Sequence, residues 1–147
     1  MIGVSNPKVG ELMANVLRRL GTKRAVIVHG KDGLDEITVS GDSILWILDD
    51  SGIIKMEISP EEFGFSRSPI ENIKAKDSSE SALIIRNILS GSEQGPSRDI
   101  VIMNSAVALF CLGIVPDIQN GIQESIRSID SGDALNKLEK YVQLTKD

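Results

Sequence analysis

One segment carries most of the information in this chain, Val28-His29-Gly30-Lys31-Asp32-Gly33-Leu34-Asp35-Glu36. The apolar residues 25–28 that lead into it are typical of a buried strand, and its two glycines indicate a turn. Adjacent carboxylates on a regular strand point to opposite faces, but a turn lets both converge on one ligand. Because ligands of open α/β sheets gather at the carboxyl ends of strands, the segment indicates a metal and phosphate site.

The flanking residues alternate between helical and extended patterns. Helical spacing of apolar residues predicts a helix from Pro7 to Leu20 that ends at Gly21, and the apolar runs 37–39 and 43–48 predict strands. The turn sequence Asp49-Asp50-Ser51-Gly52 makes residues 43–58 a β-hairpin, at a sheet edge or as a flap. We therefore predict an α/β fold, a sheet with flanking helices and crossover connections.

The second half of the chain is predicted to be helical. A short helical turn runs from Ser59 to Gly64, and longer helices cover 80–89 (capped by Ser78 or Ser79), 100–112 (opened by Pro96 and Ser97), 118–129 and 134–144. The strong apolar character and small residues of helix 100–112 predict that it is central. No repeat or long linker divides the chain, so we predict a single, partial α/β domain over residues 1–147.

Composition excludes several classes of function. The 147 residues carry a net charge of −5, which argues against broad nucleic-acid binding because that requires a basic surface. No apolar run approaches the roughly 20 residues that cross a bilayer, so no membrane association is expected. The first residues lack the layout of a secretory signal, and one cysteine cannot form an internal disulfide. These features predict a cytoplasmic protein.

Asp35 and Glu36 are the candidate metal ligands. Magnesium typically takes one or two protein carboxylates and fills its other positions with water and substrate phosphates, so an Asp-Glu pair suffices beside a diphosphate. The alternative is that both are ordinary solvated loop residues, as most carboxylates are. Gly30 and Gly33 are either hinges that let a phosphate approach closely or simply a turn.

The other chemistry-bearing residues have plausible structural roles. A lone histidine at a strand end is usually satisfied by local hydrogen bonds, so His29 is not predicted to be catalytic. Asp32 suits an Asx-type turn as well as a role in the electrostatics of the loop. For Asn104 and Ser105 we favour internal hydrogen bonding and close helix contact over a functional role. Cys111 lies among apolar residues and is predicted to be a core residue.

Four blocks in the same order resemble the carboxyl-terminal part of the anthranilate phosphoribosyltransferases. They are the loop segment from His29 to Glu36, Ile58-Ser59-Pro60-Glu61-Glu62-Phe63-Gly64, Ile88-Leu89-Ser90-Gly91 and Arg98-Asp99-Ile100-Val101-Ile102-Met103-Asn104. The resemblance spans most of residues 2–112, and beyond residue 116 only the amphipathic helical character agrees. It implies the fold of the phosphoribosyltransferases related to pyrimidine nucleoside phosphorylases.

The resemblance implies a function and a metal. In that family the two acids that match Asp35 and Glu36 bind Mg²⁺ attached to phosphoribosyl diphosphate, and the enzyme joins this substrate to anthranilate in tryptophan biosynthesis. The family's amino-terminal helical domain, glycine-rich diphosphate loop and anthranilate-binding arginine do not occur in this sequence. We therefore expect the chain to be inactive alone, and to need either a homodimer or an amino-terminal partner chain.

Two alternatives stay open from the sequence. A non-catalytic, truncated or split-gene fragment would pair with an amino-terminal partner, and exposed apolar surface on the first helix and on strand 25–28 would favour it. A pyrimidine nucleoside phosphorylase-like protein or a nucleic-acid-binding paralogue would share the fold. The Asp-Glu pair favours a diphosphate over inorganic phosphate, and the acidic composition weighs against the paralogue.

Overall fold

The structure, a computed structural model, describes residues 1–145. Within this range the elements follow in the order β1 (Ile2–Gly3), α1 (Pro7–Arg19), β2 (Ala25–Gly30), β3 (Ser43–Asp49), β4 (Gly52–Ile58), 3₁₀ helices at Pro60–Phe63 and Ile70–Ile73, α2 (Ser78–Leu89), α3 (Pro96–Leu112), α4 (Ile118–Asp130) and α5 (Asp133–Leu144). No helix of the described residues combines the length and the apolar composition needed to cross a membrane.

The four strands form one mixed sheet in the order β1-β2-β3-β4. Strands β1 and β2 are parallel and connected by α1, whereas β2, β3 and β4 pair antiparallel. The predicted hairpin over residues 43–58 is confirmed, and β4 lies at a sheet edge. The predicted α/β class with flanking helices is also confirmed, but only the β1–α1–β2 connection is a crossover, because antiparallel neighbours need no more than a tight turn.

Alternating side chains give the sheet two apolar faces. Val26, Val28 and Leu45 belong to a core formed with helices α3 and α4. Ile27 and Trp46 point to the other face, where they pack with residues of α1. Successive side chains of a strand point to opposite faces, so a strand covered on both faces is apolar throughout. Every residue of β2 is buried for this reason.

Helix α1 begins and ends as its sequence predicts. The Asn6 side chain accepts a hydrogen bond from the Lys8 N–H at 3.0 Å, and Pro7 occupies the first helical position. Gly21 follows the helix with a φ of 82°, in the left-handed region that favours glycine. The helix approaches the sheet closely at Gly10, where a Cβ atom would lie 2.4 Å from the Trp46 ring.

Helix α3 is central, as predicted. Its buried residues include Ile102, Met103, Ala106 and Val107, and helix α4 packs so closely on it that a Cβ on Gly121 would lie 2.6 Å from the Ala106 carbonyl oxygen. The sequence-based start of helix α2 was wrong, because the helix begins at Ser78. Its N-cap is Asp77, whose carboxylate accepts the Glu80 N–H at 2.9 Å.

The predicted strand over residues 37–39 does not exist. Ile37, Thr38 and Val39 are completely buried, but their backbone groups bond outside any strand ladder. Side chains of Asn104 and Ser43 bind the N–H groups of Ile37 and Thr38, and the Val39 carbonyl accepts the Ser68 N–H. The apolar run of residues 37–39 therefore reflects a buried loop. Periodicity cannot distinguish a buried loop from a short strand.

Candidate functional site

The loop that follows β2 is closed by its own backbone. The Gly30 N–H donates to the Leu34 carbonyl at 2.8 Å, and the Gly33 N–H donates to the Gly30 carbonyl at 2.9 Å. Gly33 has a φ of 102°, which an L side chain rarely adopts. The predicted turn is therefore confirmed, and the glycine at position 33 is required by its conformation.

Asp32 holds this turn together. One carboxylate oxygen accepts the Leu34 N–H at 3.2 Å, and the other accepts the hydroxyls of Thr38, at 2.6 Å, and Ser40. Burial opposes ionisation of Asp32, but these hydrogen bonds outweigh it and hold the pKa of the carboxyl below its ordinary value. The Asx-turn interpretation is confirmed, and Asp32 is committed to the structure of the loop.

Asp35 and Glu36 lie at the end of the turn and line the same cavity of about 440 Å³. Both are exposed, and within residues 1–145 neither carboxylate forms an ion pair or accepts a side-chain hydrogen bond. The remainder of the cavity is mainly apolar, with lining residues that include Ile73, Ile84, Ile88 and Ile100. Both residues thus border the same cavity, and neither side chain is engaged by another side chain of the described residues.

Two contacts hold the main chain around this acidic pair. Asn104 on α3 accepts the Ile37 N–H at 2.9 Å and donates to the Ile37 carbonyl at 2.8 Å. Gly3 on β1 packs against Asp35 so closely that a Cβ atom would lie 1.6 Å from the Asp35 carbonyl oxygen. The preference for internal hydrogen bonding at Asn104 is confirmed, but the sequence did not indicate that its partner is the residue after Glu36.

The donor atoms of Asp35 and Glu36 suit a metal ion whose coordination shell is completed by a bound substrate. Nowhere in residues 1–145 do three or more His, Cys, Asp or Glu side chains cluster as a metal site. The candidate ligands are thus the two carboxylates of Asp35 and Glu36. Magnesium commonly binds proteins through one or two carboxylates while substrate phosphates and water complete its octahedron. The donor set fits magnesium bound with a diphosphate better than a metal enclosed by protein.

His29 has a structural role. It is buried at the end of β2, and its Nδ1 lies 2.8 Å from the Val4 carbonyl oxygen, to which it donates. This bond joins β2 to the segment after β1. The prediction that His29 is satisfied locally is confirmed. Cys111 is also buried, as predicted, with its Sγ 3.8 Å from the amino group of Met1.

A charged network that the sequence did not reveal borders the other end of the loop. Lys31 Nζ lies 2.6 Å from Glu57 and 3.4 Å from Asp42, and Arg67 pairs with Asp42 and Glu61. The Arg67 guanidinium, followed by Lys31, lowers the pKa of the Asp42 carboxyl. Lys31 and Glu57 are 26 residues apart and Asp42 and Arg67 are 25 apart, so spacing alone could not have indicated the network. It anchors residues 31–42 against β4 and the chain that follows it.

The mixed sheet, the helices packed on both of its faces and the acidic loop define an α/β domain of the phosphoribosyltransferases related to pyrimidine nucleoside phosphorylases. The chain belongs to the glycosyl transferase family, a/b domain, which it matches over residues 1–135. The predicted family resemblance is thereby confirmed. The roles of Asp35 and Glu36 as metal ligands stay a prediction.

Curated relatives are named anthranilate phosphoribosyltransferase. The protein of Acetivibrio thermocellus is 43% identical over 145 residues, and that of Rubrobacter xylanophilus is 38% identical over 146 residues. Each alignment covers 99% of this chain, but only 42% and 43% of these two relatives respectively. The chain thus spans about two-fifths of the length of the relatives that it matches.

Solved structures agree with this relationship. Anthranilate phosphoribosyltransferase from Thermus thermophilus is 33% identical and superimposes with a TM-score of 0.86 over 96% of this chain and 41% of its own. The enzyme from Saccharomyces cerevisiae in complex with PRPP and Mg is 26% identical, with the same TM-score and the same coverage of both chains.

Proposed function

We propose that this chain supplies the metal-binding wall of an anthranilate phosphoribosyltransferase, the enzyme that transfers a phosphoribosyl group from phosphoribosyl diphosphate to anthranilate in tryptophan biosynthesis. The observation that carries the proposal is the position of Asp35 and Glu36, which line one cavity without protein partners in the described chain. Curated relatives bear this enzyme's name, and the yeast neighbour was solved with PRPP and Mg.

In the proposed mechanism each described residue has a limited task. Asp35 and Glu36 would hold Mg²⁺ by their carboxylates, while Asp32 and Asn104 hold the main chain on either side of them. When bound there, the metal would neutralise negative charge on a diphosphate leaving group. No residue of the described chain is assigned to anthranilate. We place the protein in the reducing cytoplasm, where the single, buried Cys111 stays a thiol.

A second proposal concerns the partner. Helix α1 exposes the apolar residues Val9, Leu12 and Val16, and its C-cap Leu20 is 76% exposed. These four residues, which we call the α1 stripe, follow helical spacing on a face that does not contact the sheet. An apolar stripe of this kind is typical of a covered surface. We propose that it packs against the part of the enzyme that the relatives have and this chain does not span.

This proposal matches part of the surface that the sequence analysis named for a partner-dependent fragment. Helix α1 exposes an apolar stripe, which favours that alternative. Strand β2 is buried between β1, β3 and the helices, as its apolar run predicts, so it offers no exposed apolar surface. The short strand β1, which covers the edge of β2 through Ile2 and Gly3, was not predicted from the sequence.

The test joins this chain to the remainder of the Acetivibrio thermocellus enzyme in a chimera. We expect Mg²⁺-dependent consumption of anthranilate by the chimera and none by this chain alone. Asp35→Asn with Glu36→Gln should lower turnover of the chimera about 100-fold or more, since loss of a metal removes several kcal/mol of charge stabilisation. Anthranilate fluorescence in the presence of phosphoribosyl diphosphate measures the rate.

A matched control makes the same two types of substitution at other positions. Asp50→Asn with Glu71→Gln changes two exposed carboxylates outside the loop and should leave turnover near that of the parent chimera. Thermal unfolding of all variants shows whether each is folded. Equal turnover of the Asp35/Glu36 variant and the control would refute the metal assignment, and a folded chimera without transferase activity would refute the proposed function itself.

A further inference from the structure

Every hydrogen-bonding group of the Asn104 side chain is bound to main chain. Its Oδ1 accepts the Ile37 N–H, and its Nδ2 donates both to the Ile37 carbonyl at 2.8 Å and to the Ile100 carbonyl at 2.9 Å. The bond to Ile100, four residues earlier, lies within helix α3. The two bonds to Ile37 join the most buried helix to the loop, immediately after the acidic pair.

An asparagine on α1, Asn15, provides a comparison for the hydrogen bonds of Asn104. Asn15 donates to the Glu11 carbonyl, four residues earlier, at 2.8 Å. This contact reproduces the bond of Asn104 within its own helix, and Asn15 makes no hydrogen bond to another element in the described chain. A bond of this kind within the helix is thus not particular to Asn104. The remaining two bonds act on the position of the loop.

The loop has a physical need for such support. Asp35 and Glu36 are consecutive carboxylates on the same cavity, so their charges repel each other before a cation arrives. A free loop would separate them and would have to be reordered when the cation binds. Ile37 is completely buried, and Asn104 binds both of its main-chain groups. The residue after Glu36 is thus fixed in position and in orientation.

We propose that Asn104 is a positioning residue for the metal, which keeps Asp35 and Glu36 directed at the same cavity in the absence of ligand. The inference rests on the proposed metal role of these two carboxylates. Residues that orient metal ligands through hydrogen bonds typically contribute about 10- to 100-fold to metal affinity. Asn104 acts here through the backbone, and it does not touch the metal.

The test is a titration of the whole chain with Mn²⁺, followed by paramagnetic broadening of backbone amide signals in NMR spectra. In the native chain we expect broadening centred on Asp35 and Glu36. Asn104→Ala should raise the apparent dissociation constant about tenfold or more. The matched variant Asn15→Ala loses the equivalent bond within its own helix and should bind Mn²⁺ like the native chain.

Two further variants separate positioning from stability. Asn104→Ser keeps a hydroxyl for the Ile100 carbonyl but is too short to reach Ile37, so it should weaken Mn²⁺ binding even if Asn104→Ala fails to fold. Ile102→Val loses one buried methyl group in α3 and should lower the unfolding temperature without changing Mn²⁺ affinity. A loss of affinity that follows unfolding temperature across all variants would overturn the inference.

The outcomes distinguish this inference from the proposal beneath it. Asp35→Asn with Glu36→Gln should abolish the localised broadening. If it does, and both Asn104 variants bind Mn²⁺ like the native chain, the positioning role is wrong while the metal assignment stands. If the broadening persists in the Asp35/Glu36 variant, the metal assignment fails and the positioning role fails with it.

Discussion

At the scale of single residues, the carboxylates of the acidic loop differ in how many hydrogen bonds they accept. Asp32 and Asp35 are three positions apart in the same turn, yet Asp32 accepts three hydrogen bonds and Asp35 accepts none from side chains of the described chain. A carboxylate with several donors stabilises the fold in its ionised form. A carboxylate without donors keeps its lone pairs free, which the proposed metal role of Asp35 requires.

The lowered pKa of Asp32 makes stability depend on pH. Because its folded-state pKa lies below the unfolded value of about 3.9, its contribution is complete above that value and is lost as pH falls through the folded-state pKa. We therefore expect Asp32→Asn to lower the unfolding temperature at pH 7, and the difference from the native chain to shrink between about pH 5 and pH 3. Thermal unfolding followed by circular dichroism measures this difference.

Other carboxyl groups also lose favourable partners in acid, so the comparison needs a control. The pKa values of Asp42 and Glu61 are lowered too, chiefly by the Arg67 guanidinium, and they affect native and variant chains alike. Asp50→Asn removes one exposed charge outside the loop and should show a small difference at every pH. A difference for Asp32→Asn that is as large at about pH 3 as at pH 7 would contradict the assigned role.

At the scale of elements, the position of α1 depends on Gly10, which has no side chain. Gly10 lets the helix lie directly on Trp46, which is 2% exposed and is the single tryptophan of the sequence. Glycine in a helix interior costs about 1 kcal/mol relative to alanine. Close contact offsets this cost because it buries both the helix and the indole ring.

Gly10→Ala should therefore destabilise the fold although it favours the helix. The new Cβ would lie 2.4 Å from the buried ring, and overpacking of this kind typically costs about 1–3 kcal/mol. Urea unfolding followed by tryptophan fluorescence measures the loss and reports on Trp46 directly. Gly41→Ala is the control, since a Cβ there meets no atom of residues 1–145 within 4 Å. A more stable Gly10→Ala chain would mean that α1 can move away without loss.

At the scale of the whole molecule, helix α1 has one apolar face that is covered and another that is exposed. The face of α1 toward the sheet is covered, whereas the α1 stripe is exposed and lies on the same helix. Monomeric proteins rarely expose contiguous apolar patches without a function for them. The α1 stripe is the surface that the proposed partner interface would cover.

The α1 stripe should bind a dye that reports exposed apolar surface. We expect the native chain to raise the fluorescence of anilinonaphthalene sulfonate, and Leu12→Gln with Leu20→Gln to lower this signal. Leu83→Gln is the control, because Leu83 is 58% exposed but lies on α2. If the control lowers the signal as much as the double variant does, the stripe is not a distinct surface.

Much of this architecture was predictable from local patterns. The helices of the second half, the hairpin over residues 43–58 and the turn at Gly33 each follow from residues close in sequence, such as the cap Asn6 or the turn Asp49-Asp50-Ser51-Gly52. Two differences involve contacts between distant residues. Residues 37–39 were predicted as a strand but bind Asn104 on α3, and β1, which was not predicted, pairs with β2; both partners lie far away in the chain.

The sequence by itself determined the family, the secondary structure of most segments and the candidate pair Asp35 and Glu36, since each depends on residue types at short spacing. Only the tertiary structure decided that Asn104 and Gly3 hold the loop, that Asp42 joins a charge network with Lys31 and Arg67, and that one face of α1 is left exposed. Contacts between distant residues depend on how elements pack, and apolar periodicity indicates which face of an element is buried but not which residues it meets.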